Sequence, residues 1–555
     1  MARTIRTCSL ALVGAVAAGL LQAGPADARP SFARSGASTF VAAHAAAEAG
    51  DARRAAILYA SLAAAEPGNA VIAARAINQA ILAGDMALAL RLARARPADK
   101  LTPDVRLLLI ADTLRSGKAG EVNEGSVPAE LKFVLPFVRA WSLAEGRNWK
   151  KALAALDGVP RDDVLAPAVA EHKALILLRA GEVERALPLL PQALAAAGER
   201  ADRLRIAFAA GLIRGGKRAE GLALLAGRDP TLASAAGKLA AERRPDLPIA
   251  RAGQGFSELL LGLAMALSRG EGRGLPLALV QVARHADPAN DGATLLLGIL
   301  LGQSGRADDA LARLRAIEEE SPFLSDARTV EIDLLTEAGR DQEALARAQA
   351  FVADPNAGAD DWTRLGDVLD ATKRHGEAAE AYGKAVALAE AGSPGPERWT
   401  LQLLRGASLE QADRWAEAER ALEAAHALAP DNPLVLNYLG YARLERGEQL
   451  DEAEALIAEA SAKAPDDASI TDSLGWAQFK RGKVTEAIAT LQRAAAADPA
   501  QAEIHEHLGD ALYTAGRKFE ARHAWTAAMV TAEDDVRTRV EAKLAAGLSQ
   551  ATAAP

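Results

Sequence analysis

The sequence predicts an all-α protein, a right-handed α-solenoid built from helix–turn–helix repeats. Three observations predict it. Half of the residues are apolar but only 4% are aromatic, so the apolar weight lies in Ala and Leu. Those two head the helix-propensity ranking, whereas strands favour β-branched and aromatic residues. At 555 residues the chain exceeds the roughly 250–300 that one core organises, so it is a repeat array or several domains. Small residues also recur at a fixed step: Gly440, Gly475 and Gly509 are 35 and 34 apart, and Ala453, Ala487 and Ala521 are 34 and 34 apart. Pro430, Pro465 and Pro499 keep the same step. A period of about 34 residues is the length of one helix pair.

Residues 1–28 read as an export signal. Arg3 and Arg6 precede an apolar run from Leu10 to Leu21, then Gly24-Pro25 and the small-x-small Ala26-Asp27-Ala28, with cleavage expected before Arg29. The run is shorter than the ~20 residues of a spanning helix, which argues against an N-terminal anchor. The sole cysteine, Cys8, precedes the run. Neither lipidation at the cleavage point nor a disulfide, thiolate metal site or Cys nucleophile is therefore expected in the mature chain. No later run reaches 18 apolar residues, so the expected location is periplasmic or secreted, soluble after cleavage.

Residues 29–228 read as a degenerate helical array. Gly50, Ala55, Tyr59 and Pro67 keep the offsets of the repeat, and looser pairs turn near Gly84, Gly117, Gly146, Gly181 and Gly216. The phase breaks at 229–254, where Arg243-Arg244-Pro245-Asp246-Leu247-Pro248 cannot be mid-helix, so a joint is expected there.

A regular array follows over 255–533. Its units contain Gly305, Ala310 and Pro322; Gly339, Ala344 and Pro355; Gly366, Ala378, Tyr382 and Ala385; then Gly406, Ala418, Ala425 and Pro430. The clearest unit, Ala468 to Asp498, carries Gly475, Gly482, Ala487, Leu491 and Ala494, with Pro499 after it. Gly475 and Ala487 are small so that the two helices can approach. Gly482 supplies the turn, and Pro499 ends the second helix because it lacks a donor. Residues 534–555 read as a charged capping helix to Leu548 and a loose tail from Ser549.

Chemistry is scarce. His505-Glu506-His507 has i, i+2 spacing, whereas two metal histidines on a helix need i, i+4. Gly270-Glu271-Gly272-Arg273-Gly274 follows a helix rather than a strand, so it reads as an inter-helix turn and not a dinucleotide loop. Asp308-Asp309 and Asp466-Asp467 fall at helix starts, where carboxylates favour the dipole. A net charge of -9 argues against a general nucleic-acid binder. No catalytic constellation, metal site or cofactor motif stands out, and no enzymatic activity is expected.

The repeated units resemble the tetratricopeptide repeat over most of residues 40–533. Asn437-Tyr438-Leu439-Gly440-Tyr441, Thr471-Asp472-Ser473-Leu474-Gly475-Trp476 and His507-Leu508-Gly509-Asp510 look like the C-terminal repeats of secreted proteobacterial proteins of this family. The resemblance implies that the first helix of each repeat lines a concave groove. The positions it turns inward are Asn437, Tyr441, Asp472, Trp476, Phe479, Glu506, Asp510 and Tyr513. Asn and Asp can pair an extended backbone, and Tyr and Trp can anchor side chains. The alternative for Tyr441 and Trp476 is packing between helices, which is expected outright for Trp362, Trp399 and Trp525.

The resemblance further implies a non-enzymatic periplasmic scaffold or adaptor that binds protein segments. Adaptors of that group hold a processing protease and its cell-wall hydrolase substrates, which makes envelope proteins the implied partners. Those adaptors are lipoproteins, and this chain lacks the lipid-accepting Cys. The alternative is a structural subunit of an envelope polysaccharide assembly and secretion complex.

Overall fold

A computed structural model describes residues 36–97, 100–122, 125, 127–270 and 274–554. The expected signal segment lies outside the described residues. Among them there is no strand: helices follow one another in antiparallel pairs, and the fold is an all-α solenoid.

The recurrent residues do what their spacing predicts. The second helices Trp415–Leu428, Leu450–Lys463 and Val484–Ala497 each stop two residues before Pro430, Pro465 and Pro499. The first helices begin on side-chain caps. Asn432 accepts from the Leu434 amide at 3.0 Å, with Pro433 in the first turn, and Asp467 accepts from the Ile470 amide at 3.0 Å. Each bond satisfies an amide that the helix start leaves open. Gly482 turns the chain with φ +76°, a region costly for a side chain. At Gly475 a Cβ would lie 2.6 Å from Leu491 Cγ, so only glycine allows this crossing, and Ala487 beside it is fully buried.

In the N-terminal array Gly84, Gly117, Gly181 and Gly216 all take positive φ at their turns. At Gly146 the left-handed residue is instead its neighbour Arg147, φ +56°. The segment 229–254 contains the helix Pro230–Ala241, then a non-helical stretch up to the helix Ala252–Ser268.

In a simple solenoid each repeat touches only its neighbours. Here the chain folds back. Helices Ala252–Ser268 and Gly274–Ala286 pack on Pro103–Arg115; the former also meets Leu135–Glu145, and the latter Ala70–Ala83. Trp141 lies against Gly255, where any Cβ would collide with its ring. Glu145 accepts from the Ala252 amide at 2.8 Å, His285 Nε2 lies 2.9 Å from Asp112, and Arg306 donates to the Leu82 carbonyl at 3.1 Å. One apolar cluster therefore runs from Ala56 to Tyr382, across the Pro-rich break.

Beside it lies a buried ionic network. Arg200 grips Glu171 with two bonds of 3.0 and 2.8 Å, and Arg203 donates to Glu258 at 2.6 Å. Asn290 donates to Glu258 and to Ser257, each at 3.0 Å. Burial pushes the Glu258 carboxyl up despite its arginines, whereas at Glu171 the Arg200 guanidinium outweighs burial and holds the carboxyl down. Such pairing is what permits charge in an interior.

Candidate functional site

Helices Pro433–Arg446, Ala468–Lys480 and Ala502–Thr514 touch in succession and form the inner row of the last repeats. The helix Asp534–Ala546 packs on the end of that row, against Ala502–Thr514. Two of its basic side chains turn onto the inner row. Lys543 is 0% exposed and donates to Glu506 and to Asp510, each at 2.7 Å. Arg539 adds two bonds to Glu506, at 2.9 and 2.7 Å. Asp510 also accepts from Trp525 Nε1 at 3.0 Å. Burial raises the Asp510 carboxyl, with Lys543 opposing it; at Glu506 the two cations outweigh burial and lower it.

Trp476 is 1% exposed and lies between two rings. Phe479 stacks at 4.9 Å and 22°, and His507 at 4.2 Å and 13°. His507 Nδ1 in turn lies 2.9 Å from Asp472. Burial pushes this imidazole down, but the Asp472 carboxylate prevails and holds it above its ordinary value. Lys480 Nζ sits 5.3 Å from the centre of the Trp476 ring, within cation–π range. Asn437 is buried beside this group, while Tyr441, Phe479 and Tyr513 keep part of their surface open.

The eight expected groove residues thus fall into two groups. Asn437, Asp472, Trp476, Glu506 and Asp510 are buried, and the last two are satisfied by cations of the same chain. Tyr441, Phe479 and Tyr513 remain as partly open aromatic surface. The segment after Ala546 is not loose throughout, as its position past the last repeat suggested. Ser549 and Thr552 bond to each other, the Ala554 amide donates to Asp510 at 3.0 Å, and Ala554 is 4% exposed. Its apolar neighbours are the cluster of Trp476, Tyr441 and Phe479.

Sequence reading missed His507, Arg539, Lys543 and Ala554 as members of this site. A usable signal existed for the two cations. Glu506 and Asp510 are four apart, as are Arg539 and Lys543, so two helices present complementary one-turn charge pairs. His505, two residues before His507, turns away to the Pro499 carbonyl at 3.0 Å. Among the described residues no group of three or more His, Cys, Asp or Glu is placed to hold a metal, and no helix is long and apolar enough to cross a membrane. Asp467 caps a helix, and Asp308 and Asp309 lie in the first turn of Ala307–Leu314. In the Gly-rich stretch Gly270 follows one helix and Gly274 opens the next; residues 271–273 are outside the described set. Trp525 is core, and Trp362 and Trp399 are half-buried.

Stacked helical repeats that present a continuous inner row of helices are the architecture of a protein-interaction scaffold. Residues 409–474 match the family model described as tetratricopeptide repeat, and residues 475–516 match the one described as TPR repeat. Residues 409–516 therefore carry tetratricopeptide repeats. No curated protein matches it.

Among solved structures it is similar to the APC/C hetero-tetramer Cut9–Hcn1, at 16% identity over 93% of this chain and 97% of that one, TM-score 0.37. A tetratricopeptide repeat protein from Parabacteroides merdae is 15% identical over 45% of this chain and 96% of its own, TM-score 0.37. YrrB, described as a TPR protein with an unusual peptide-binding site, is 17% identical over 35% and 99%, TM-score 0.27.

Proposed function

We propose that this chain is a non-enzymatic scaffold that holds protein segments along its concave face, and that it works in the periplasm. The observation that carries the reading is the site itself. Its inner helices already seat a non-helical stretch of polypeptide, residues 547–554, which turns over Ser549–Ala553, with Asp510 accepting from the Ala554 amide and Ala554 joining the apolar cluster of Trp476, Tyr441 and Phe479. A surface that seats one segment by backbone bonding and a side-chain pocket has the means to seat another. The periplasmic part rests on Arg3, Arg6, the Leu10 to Leu21 run and Ala26-Asp27-Ala28. Envelope proteins are the proposed partners, a protease or cell-wall hydrolase among them.

Two measurements test this. N-terminal sequencing of the mature protein should return Arg29, with the protein in the soluble periplasmic fraction. A start at Ala2 in the cytosol removes the location. Affinity capture from periplasmic extract should retain envelope proteins at defined stoichiometry. Recovery of synthase and export subunits instead would make the chain a structural part of a polysaccharide machine.

A further inference from the structure

The closing segment is held unevenly. Up to Ala546 it is a helix fixed by the buried Lys543 and by Arg539. Gly547 then changes direction with φ +88°, and a Cβ there would strike the Tyr513 hydroxyl. Beyond that point Ser549, Gln550, Ala551 and Ala553 are exposed. Only Ala554 is anchored deeply, by its amide on Asp510 and by its methyl group in the cluster around Trp476.

The helix and the segment therefore differ in kind. Removing Lys543 would leave the buried Asp510 without a cation, whereas withdrawing 549–554, with Leu548 still packed on the last repeat, would free the Ala554 amide bond and its methyl contact. A typical neutral hydrogen bond contributes only about 1 kcal/mol net, and a buried methylene about 0.8. Even with the charge on Asp510 strengthening its bond, so few contacts hold the segment by less than the array holds itself. The pocket also selects. Its aromatic walls exclude a large side chain, and Asp510 repels an acidic one.

We propose that Tyr441, Trp476, Phe479 and Asp510 form a peptide subsite for a small apolar residue, and that residues 549–554 fill it in cis as a displaceable plug. The inference rests on the reading of the concave face as a segment-binding surface and names what one part of that surface takes. A partner must carry a small residue at the anchor with its amide free to reach Asp510, and it must outcompete a segment tethered at an effective concentration in the millimolar range.

The test uses a synthetic peptide of residues 549–555 as probe. It is titrated by calorimetry into three proteins: the full chain, the chain ending at Leu548, which keeps the Leu548 contact with the last repeat, and full-length Ala554→Glu. Thermal melts are run on each. The truncated chain and Ala554→Glu should bind the peptide at least tenfold more tightly than the full chain, and a peptide carrying Glu in place of Ala554 should not bind. Equal titrations for all three proteins, whether binding is seen or not, overturn the proposal. Loss of the cooperative melt on truncation overturns it as well, since the segment would then be part of the fold. A chain that passes this test yet captures no partner from extract loses the scaffold role and keeps the subsite. Capture of a partner with equal titrations does the reverse.

Discussion

Lys543 places its ammonium 2.7 Å from Asp510 Oδ2, and neither side chain has appreciable contact with solvent. A cation from the last helix is thus sealed against an inner-row carboxylate of the last full repeat, with Glu506 as its second partner. In an array whose end would otherwise expose an unpartnered face, this pair fixes where the end helix sits.

Lys543→Ala should lower the stability of the C-terminal repeats by about 3–5 kcal/mol, because it leaves the buried Asp510 without a cation and Glu506 with Arg539 alone. Arg539→Ala should cost clearly less, as its guanidinium is partly solvated and Lys543 still neutralises Glu506. Guanidinium midpoints of the two variants against wild type decide it. Equal midpoints would mean that the Lys543 pair is not sealed in solution.

Trp476→Ala should also be a folding defect. A ring 1% exposed and stacked on both sides leaves a cavity, which typically costs about 3–5 kcal/mol for an aromatic. Tyr441→Ala and Phe479→Ala, at partly open positions, should lower the melting temperature less. A Trp476→Ala melt matching wild type would show the ring free in the groove.

His507 should make the C-terminal array less stable as pH rises. Asp472 holds its folded value above the ordinary 6.5, so the stabilisation is complete below that value and is lost as pH climbs through the raised one. The stability gap between wild type and His507→Gln should therefore shrink as pH rises above the ordinary 6.5. A constant gap would refute the charge pairing.

His172 should act in the opposite sense. It is fully buried, accepts from Trp141 Nε1 at 2.9 Å and stacks edge-on with Phe137 at 5.0 Å. Burial pushes it down to about 4, with Arg200 adding to that and Glu171 opposing it. The neutral ring is therefore favoured above the ordinary 6.5, and stability falls as pH drops from there towards 4. Comparing denaturation midpoints at about pH 7 and pH 5 in wild type and His172→Phe checks this, since the variant should lose less on acidification.

Gly475→Ala should cost about 1–3 kcal/mol, because the new methyl would crowd Leu491. Gly376, half-buried in the first turn of the helix His375–Glu390 with open space where a Cβ would sit, should accept alanine without loss. Melts of the two variants give the contrast directly.

Local spacing alone determined the helices, their turns and the crossings of each pair. Gly475, Gly482, Ala487 and Pro499 act on residues within the same repeat, so their consequences can be read in one dimension. Two features could be decided only in three. Trp141 meets Gly255, and Asp112 meets His285, across more than a hundred residues, because the array curves until its turns touch. Nothing periodic encodes where a superhelix closes on itself. The end of the chain is the second case: Glu506 and Asp510 read as open acidic groove positions until Lys543, Arg539 and the Ala554 amide fold over them. Which side of a helix faces solvent is set by whatever packs there last, and that partner lay more than thirty residues away, beyond the last repeat.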